Sequence, residues 1–166
     1  MRRTALEMLA LMLLFYGAYY YPYPPDSAPA RLIATYVGLQ AHAAAALIET
    51  FDASARLHGN VVSGAFALEV IKDCSSLDAQ ALLAAAVIGF PARRRAKLLG
   101  LGMGLLLLNL ANIARIAGLY AVGARAPSVF DSVHEELMPL ALVALACAFF
   151  AVWAARASLA PPRQRA

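Results

Sequence analysis

The sequence contains few of the residues from which the most recognisable active sites are built. Its 166 residues include two cysteines and three histidines. The histidines are dispersed and lack the spacing of zinc ligands, and the cysteines do not form a Cys-x-x-Cys pair. A phosphate-binding loop, a His-Glu-x-x-His motif and a Gly-x-Ser-x-Gly motif are also missing. These absences argue against zinc enzymes, phosphate-loop enzymes, serine hydrolases and thiol oxidoreductases, and we expect neither a metal nor another cofactor.

Charged residues are also scarce, at 14%, whereas hydrophobic residues make up 62% and the mean hydropathy is +0.66. Such values lie outside ordinary soluble usage and predict a polytopic helical membrane protein surrounded by lipids. The net charge of +4 does not indicate nucleic-acid binding, because the basic residues cluster at predicted loops and tails. Neither a linker nor a repeat divides the chain, so we expect one domain over residues 1–166.

Four apolar segments are predicted to cross the bilayer, at residues 5–21, 77–90, 98–122 and 137–155. Residues 31–50 are predicted to be helical but poorer in apolar bulk. We expect them to lie along or dip into the outer face, and whether they cross the membrane stays open. Between residues 52 and 71, turn signals at Gly59-Asn60 and Ser63-Gly64 predict a small external hairpin. The expected fold is therefore an all-α integral membrane protein with about four transmembrane helices, one interfacial helix and this hairpin.

The first apolar segment has two interpretations. Ala28-Pro29-Ala30 resembles the cleavage site of a signal peptide, which would make the segment removable. Its length and the tyrosines at residues 19–21 favour a retained anchor with an aromatic belt.

Basic residues predict the orientation, because cytoplasmic loops are enriched in lysine and arginine. Residues 2–3, the loop at residues 93–97 and the tail at residues 156–165 hold nine of the fourteen basic residues. Placing them inside requires an even number of crossings. Cys74, the end of the third span and the loop before the fourth span then lie outside.

Cys74 lies in a short polar break, residues 70–78, just before an apolar segment. A thiol among charges at the predicted water boundary is a candidate nucleophile. Cys147 lies within an apolar run, and a disulfide would require both cysteines to share a depth.

Asn109, Asn112 and Arg115 recur every three residues and therefore share one side of a helix. Arg115 lies roughly 10 Å below the predicted outer end of its span. Burying a guanidinium is costly unless it is paired, which makes Arg115 a functional candidate. Snorkelling to the interface is the alternative, and for Asn109 an interhelical contact is the expected role.

His134 opens the last span, and Asp131, three residues earlier, is placed to fix its tautomer. A lone interfacial histidine is often incidental, but here a thiol and an arginine are expected on the same side. A cation beside Cys74 would favour the thiolate, a further donor would stabilise an oxyanion, and the imidazole would protonate a departing amine.

Three pieces of the chain resemble the exosortase/archaeosortase family, and their order fits as well. They are Cys74-Ser75-Ser76-Leu77-Asp78-Ala79, Asn112-Ile113-Ala114-Arg115-Ile116 and Phe130-Asp131-Ser132-Val133-His134. The resemblance covers residues 70–155, and the Gly89-Phe90-Pro91-Ala92 turn is most similar to the short exosortase H type. One departure is Ser76, where the family usually has glycine.

The resemblance implies a cysteine transpeptidase or protease of the bacterial inner membrane. Such enzymes act on exported proteins that end in a short motif, a transmembrane helix and a basic tail, and cleave near the motif on the outer side. By this likeness Cys74 is the nucleophile, Arg115 the essential arginine and His134 the third member, with Asn112 and Asp131 in support. The acceptor of the thioester, an amine-bearing lipid or water, stays open. A non-enzymatic assembly or transport subunit is the alternative.

Overall fold

The computed structural model describes residues 2–158 of the chain. Six helices are α1 (Arg2–Tyr19), α2 (Ala28–Glu49), α3 (Leu77–Gly89), α4 (Arg94–Arg125), the single turn α5 (Phe130–Ser132) and α6 (Met138–Ser158). Three strands lie between α2 and α3: β1 (Arg56–His58), β2 (Val61–Ser63) and β3 (Ala67–Glu69). Arg163 and Arg165 of the predicted basic tail lie outside the described residues.

The helices confirm an α-helical membrane protein. Three are long and apolar enough to cross a membrane, at Ala28–Glu49, Arg94–Arg125 and Pro127–Ser158. Met8–Tyr19 and Leu77–Gly89 are shorter apolar helices. The structure thus contains a helix for each of the four predicted spans.

Helix α2 contains the helix that was predicted over residues 31–50. It has 22 residues and meets the length and hydropathy of a span. Tyr36 and Gln40 of α2 contact Asn109 and Asn112 of α4, in that order along both helices. Polar side chains thus join α2 to α4. Gln40, one of the polar residues that made this segment poorer in apolar bulk, is paired with amides of α4.

The described residues form two compact units. The first comprises the described parts of Met1–Tyr21, Asp78–Leu108 and Val143–Ala166, and the second comprises Pro22–Leu77 and Asn109–Leu142. In the first unit, α4 and α6 pack closely at two glycines. A Cβ on Gly100 would overlap the indole of Trp153, and one on Gly104 would lie 2.7 Å from Phe149. The small residues thus let the helices approach.

The second unit has one apolar core shared by α2, the strands, α4 and the turn that carries Cys74. The core includes Ala41, Ile48, Val62, Leu68, Val70, Ile116 and Leu119. The strands form an antiparallel sheet in the order β1-β2-β3, in which Val62 pairs with both Leu57 and Leu68. The predicted hairpin is confirmed and has a third strand.

Asp52 ties the sheet to α4. Its carboxylate accepts hydrogen bonds from the Ser54 hydroxyl at 2.6 Å, the Tyr120 hydroxyl at 2.5 Å and the Ala65 amide at 3.1 Å. These bonds, with that of Ser54 the largest cause, hold the pKa of Asp52 well below its usual range. Because Tyr120 belongs to α4, the carboxylate fixes the sheet over the end of that helix.

Candidate active site

Cys74 ends a 3₁₀ turn, Lys72–Cys74, whose backbone is closed by hydrogen bonds to Ile71 and Lys72. The residue is buried, with 4% of its surface exposed, and belongs to the apolar core. The sequence led us to expect an exposed thiol, and that expectation is wrong. The charges of Lys72 and Asp73 suggested a water boundary, but the turn itself packs beneath side chains of α2 and α4.

Asn112 joins Cys74 to Arg115. Its side-chain amide donates to the backbone carbonyl of Cys74 at 2.8 Å, and its Oδ1 accepts a hydrogen bond from Nη1 of Arg115 at 3.4 Å. Asn112 is fully buried and Arg115 is 7% exposed. The structure thus brings three of the five predicted site residues together, and a buried Arg115 excludes the snorkelling alternative.

Two buried donors beside the thiol have no hydrogen-bond partner within the described chain. They are Oγ of Ser75, a residue only 1% exposed, and Nε of Arg115. Leaving such a group unsatisfied costs about 1–3 kcal/mol, so these atoms call for an explanation. An acceptor oxygen of a ligand would satisfy two such donors.

His134 lies in a π-helical turn, Val133–Leu137, between α5 and α6. Its ring stacks on Phe130 with 5.6 Å between centroids, and Phe130 and Val133 pack against the core that contains Cys74. Its Nδ1 is buried and accepts or donates no hydrogen bond within residues 2–158, so Asp131 does not hold the ring through that atom. The structure therefore places His134 in the same unit, without a hydrogen bond to Cys74 or Arg115.

Tyr36, Gln40 and Asn109 extend the polar contacts of Asn112, and sequence reasoning missed the first two as site residues. The Tyr36 hydroxyl donates to Oδ1 of Asn109 at 2.7 Å, and Nε2 of Gln40 donates to the same oxygen at 2.6 Å. Asn109 thus makes the interhelical contact that was expected of it. The available signal was the spacing of Tyr36 and Gln40, one helical turn apart on the same face.

Comparison with family models decides the classification. The model of the transmembrane exosortase family, EpsH type, matches residues 2–150. The chain belongs to the transmembrane exosortase family. The resemblance seen in the sequence is thereby confirmed and extends over most of the exosortase. Neither the curated proteins nor the solved structures gave a match.

The described part of this exosortase contains no group of three or more His, Cys, Asp or Glu side chains that could hold a metal ion.

Ser76 stands where the resemblance led us to expect glycine, and its backbone has the conformation that glycine adopts freely. Its φ of 57° lies in the left-handed region, whereas Ser75 has a φ of −86°. A side chain in the left-handed region is strained by about 1–2 kcal/mol, and glycine is not. The turn between Cys74 and α3 thus requires the conformation that glycine adopts freely, and this exosortase adopts it with serine.

We expect Ser76→Gly to be more stable than Ser76→Ala by about 1 kcal/mol. Both variants lack the hydroxyl, so their difference isolates the backbone strain. Thermal unfolding of the detergent-solubilised protein measures it.

The control is the pair Ser75→Gly and Ser75→Ala. Residue 75 has an ordinary φ, so here the alanine variant should be the more stable one. If Ser76→Ala is as stable as Ser76→Gly or more stable, the backbone strain assigned to this turn is not present.

Proposed function

We propose that this exosortase is a membrane-embedded cysteine protease or transpeptidase that cleaves C-terminal sorting signals of exported proteins. The observation that supports this most directly is the buried contact of Asn112 with both the Cys74 carbonyl and the Arg115 guanidinium. A cation held beside a thiol favours the thiolate, which is the nucleophilic form.

In the proposed reaction the Cys74 thiolate attacks the carbonyl carbon of the scissile peptide bond. The S–C bond forms and the carbonyl oxygen becomes an oxyanion, to which Nε of Arg115 and Oγ of Ser75 donate. Collapse of this intermediate breaks the C–N bond and leaves a thioester. His134 supplies the proton that the departing amine takes up. Water or an amine-bearing lipid then attacks the thioester carbonyl and gives up a proton to His134. The C–S bond breaks, and the Cys74 thiolate is released.

The unpaired donors support this assignment. Ser75 Oγ and Arg115 Nε are buried donors without a partner in the described residues, as a preorganised oxyanion site requires. During the proposed reaction these donors would bind the carbonyl oxygen of the substrate as it becomes an oxyanion.

A membrane-anchored substrate suits a site on a transmembrane helix. The sorting signal carries its own helix, so the scissile bond is presented at a fixed depth and diffuses in two dimensions. With the basic loop at residues 93–97 in the cytoplasm, Cys74 faces the outer side of the bacterial inner membrane. The basic tail of the substrate then lies inside, on the side opposite to the cut.

The test is co-expression with an exported reporter that ends in the tripartite tail of a co-occurring protein. We expect a truncated reporter whose new C terminus, read by mass spectrometry, lies in the short motif. Deleting the transmembrane helix or the basic tail of the reporter should prevent the cut. An intact reporter beside abundant exosortase, for every such tail in the genome, would refute the proposal.

A non-enzymatic membrane subunit remains the second candidate, because the burial of Cys74 is also what an incidental core cysteine shows. The reactivity of Cys74 with an alkylating reagent distinguishes the enzyme from the non-enzymatic subunit. A thiol activated by Arg115 should react with a small reagent at neutral pH, whereas an incidental core cysteine should not. The measurement uses Cys147→Ala as background, so that only Cys74 is labelled.

A further inference from the structure

We propose that Gln40 and Tyr36 of α2 are positioning residues for the nucleophile, acting through Asn109 and Asn112. The inference rests on the proposed function, since it concerns how the same thiol and guanidinium are held. Neither residue belongs to the three pieces that carry the family resemblance. Both lie on a helix that the sequence placed outside the site.

Gln40 determines which way the Asn112 amide points. The Nδ2 of Asn112 carries two protons; one is donated to the Cys74 carbonyl at 2.8 Å and the other to Oε1 of Gln40 at 3.4 Å. The remaining Oδ1 is therefore free to accept from Arg115. A flipped amide would set oxygen against the Cys74 carbonyl and two N–H donors against a guanidinium. The glutamine thus selects the one orientation that serves both Cys74 and Arg115.

Gln40 is itself oriented by Tyr36 and Asn109. Its Nε2 donates to the Tyr36 hydroxyl at 3.0 Å and to Oδ1 of Asn109 at 2.6 Å. Because the nitrogen is committed to those two acceptors, the oxygen of Gln40 faces Asn112. Each amide in the series fixes the next, and the last one contacts Cys74 and Arg115.

Tyr36 also reaches the turn of the nucleophile directly. Its hydroxyl lies 3.4 Å from the carbonyl oxygen of Ser75, and Asn112 bonds the carbonyl of the preceding residue, Cys74. Side chains of two different helices thus lie against two consecutive carbonyls. The single Tyr36 proton goes mainly to Asn109, so the short hydrogen bond to this turn is the one from Asn112 to Cys74. The strained Ser76 follows at once. This arrangement fixes the backbone that carries the thiol.

The effects on stability and on rate distinguish a positioning role of Gln40 from a purely structural one. A side-chain hydrogen bond between membrane helices contributes about 0.6 kcal/mol to stability on average. A displacement of about 1 Å at a reacting group can cost about 100-fold in rate. Loss of Gln40 should therefore change stability little and catalysis strongly.

The test compares Gln40→Leu and Tyr36→Phe with the unchanged chain, all carrying Cys147→Ala. Leucine preserves the volume and removes both polar atoms. We expect kcat to fall about 10- to 100-fold for Gln40→Leu and about 3- to 10-fold for Tyr36→Phe, with KM changed less than about threefold. The rate of Cys74 alkylation at neutral pH should fall, because Arg115 is no longer held beside the thiol. Tyr16→Phe, the same change at an exposed tyrosine of α1, is the matched control and should alter nothing.

Three outcomes are informative. A lower kcat together with slower alkylation of Cys74 supports the proposal. An unchanged alkylation rate, whether or not the melting temperature falls, overturns it and leaves a structural contact. If Gln40→Leu does not fold, Tyr36→Phe decides alone, since it removes a single hydroxyl. Failure of the proposed function looks different, because the unchanged chain would then neither cut the reporter nor show an activated thiol.

Discussion

Cys74→Ala and Cys74→Ser are expected to abolish processing of the reporter while the protein remains inserted in the membrane. Alanine has no nucleophile, and the serine hydroxyl does not ionise near neutral pH. We expect the rate to fall by more than about 1,000-fold in each variant. The fold should survive, because alanine removes only one sulfur from a core site and costs about 1 kcal/mol. Immunoblots of the reporter, normalised to the amount of exosortase, give the measurement.

Cys147→Ala is the matched control for this prediction. Cys147 is exposed on α6, and Cys74 is the buried cysteine of the turn. The control should process the reporter at a rate within about twofold of the unchanged chain, as expected for a surface substitution. Processing by Cys74→Ala at a tenth of the normal rate or more would exclude a thioester on this sulfur.

The apolar segments predicted the helices well but not their ends. Residues 98–122 were predicted for the third span, and α4 runs from Arg94 to Arg125. A hydrophobic run reports how much of a helix lies in lipid, whereas the helix continues through charged residues into water. The prolines at residues 22 and 91 mark helix ends more reliably, because proline cannot donate the backbone hydrogen bond of a helix interior.

The role of α2 could not be predicted, because its polar residues find partners far along the chain. Gln40 pairs with Asn112, 72 residues away. In the sequence alone a glutamine in an alanine-rich helix indicates contact with water. Once the amides of α4 face it, the same glutamine is satisfied inside the protein.

The site was predictable in its residue types and partly in its grouping. The spacing of three placed Asn112 and Arg115 on one side of a helix, and the structure confirms that they contact each other. The burial of Cys74 was not predictable, since it depends on the packing of distant helices over the turn. The geometry around His134 was equally hidden, because a π-helical turn leaves no clear pattern in the sequence.

Arg115→Lys should also fail to process the reporter, although it retains the positive charge. The guanidinium presents a planar set of donors: Nη1 bonds Asn112, and Nε has no partner within the described residues. An ammonium is a single point on a flexible stem and cannot occupy both positions. We expect kcat to fall by about 100-fold or more, comparable to the loss of an oxyanion donor. The reporter assay, together with the amount of inserted protein, measures it.

Arg125→Lys is the matched control, because it makes the same change at an exposed arginine in the last turn of the same helix. It should retain activity within about twofold. A fully active Arg115→Lys variant would mean that only the positive charge is needed and that the planar guanidinium donors have no part in the mechanism. A variant that is inactive but still shows an activated Cys74 would instead separate two roles of Arg115. The charge would then favour the thiolate, and the geometry of the guanidinium would stabilise the oxyanion.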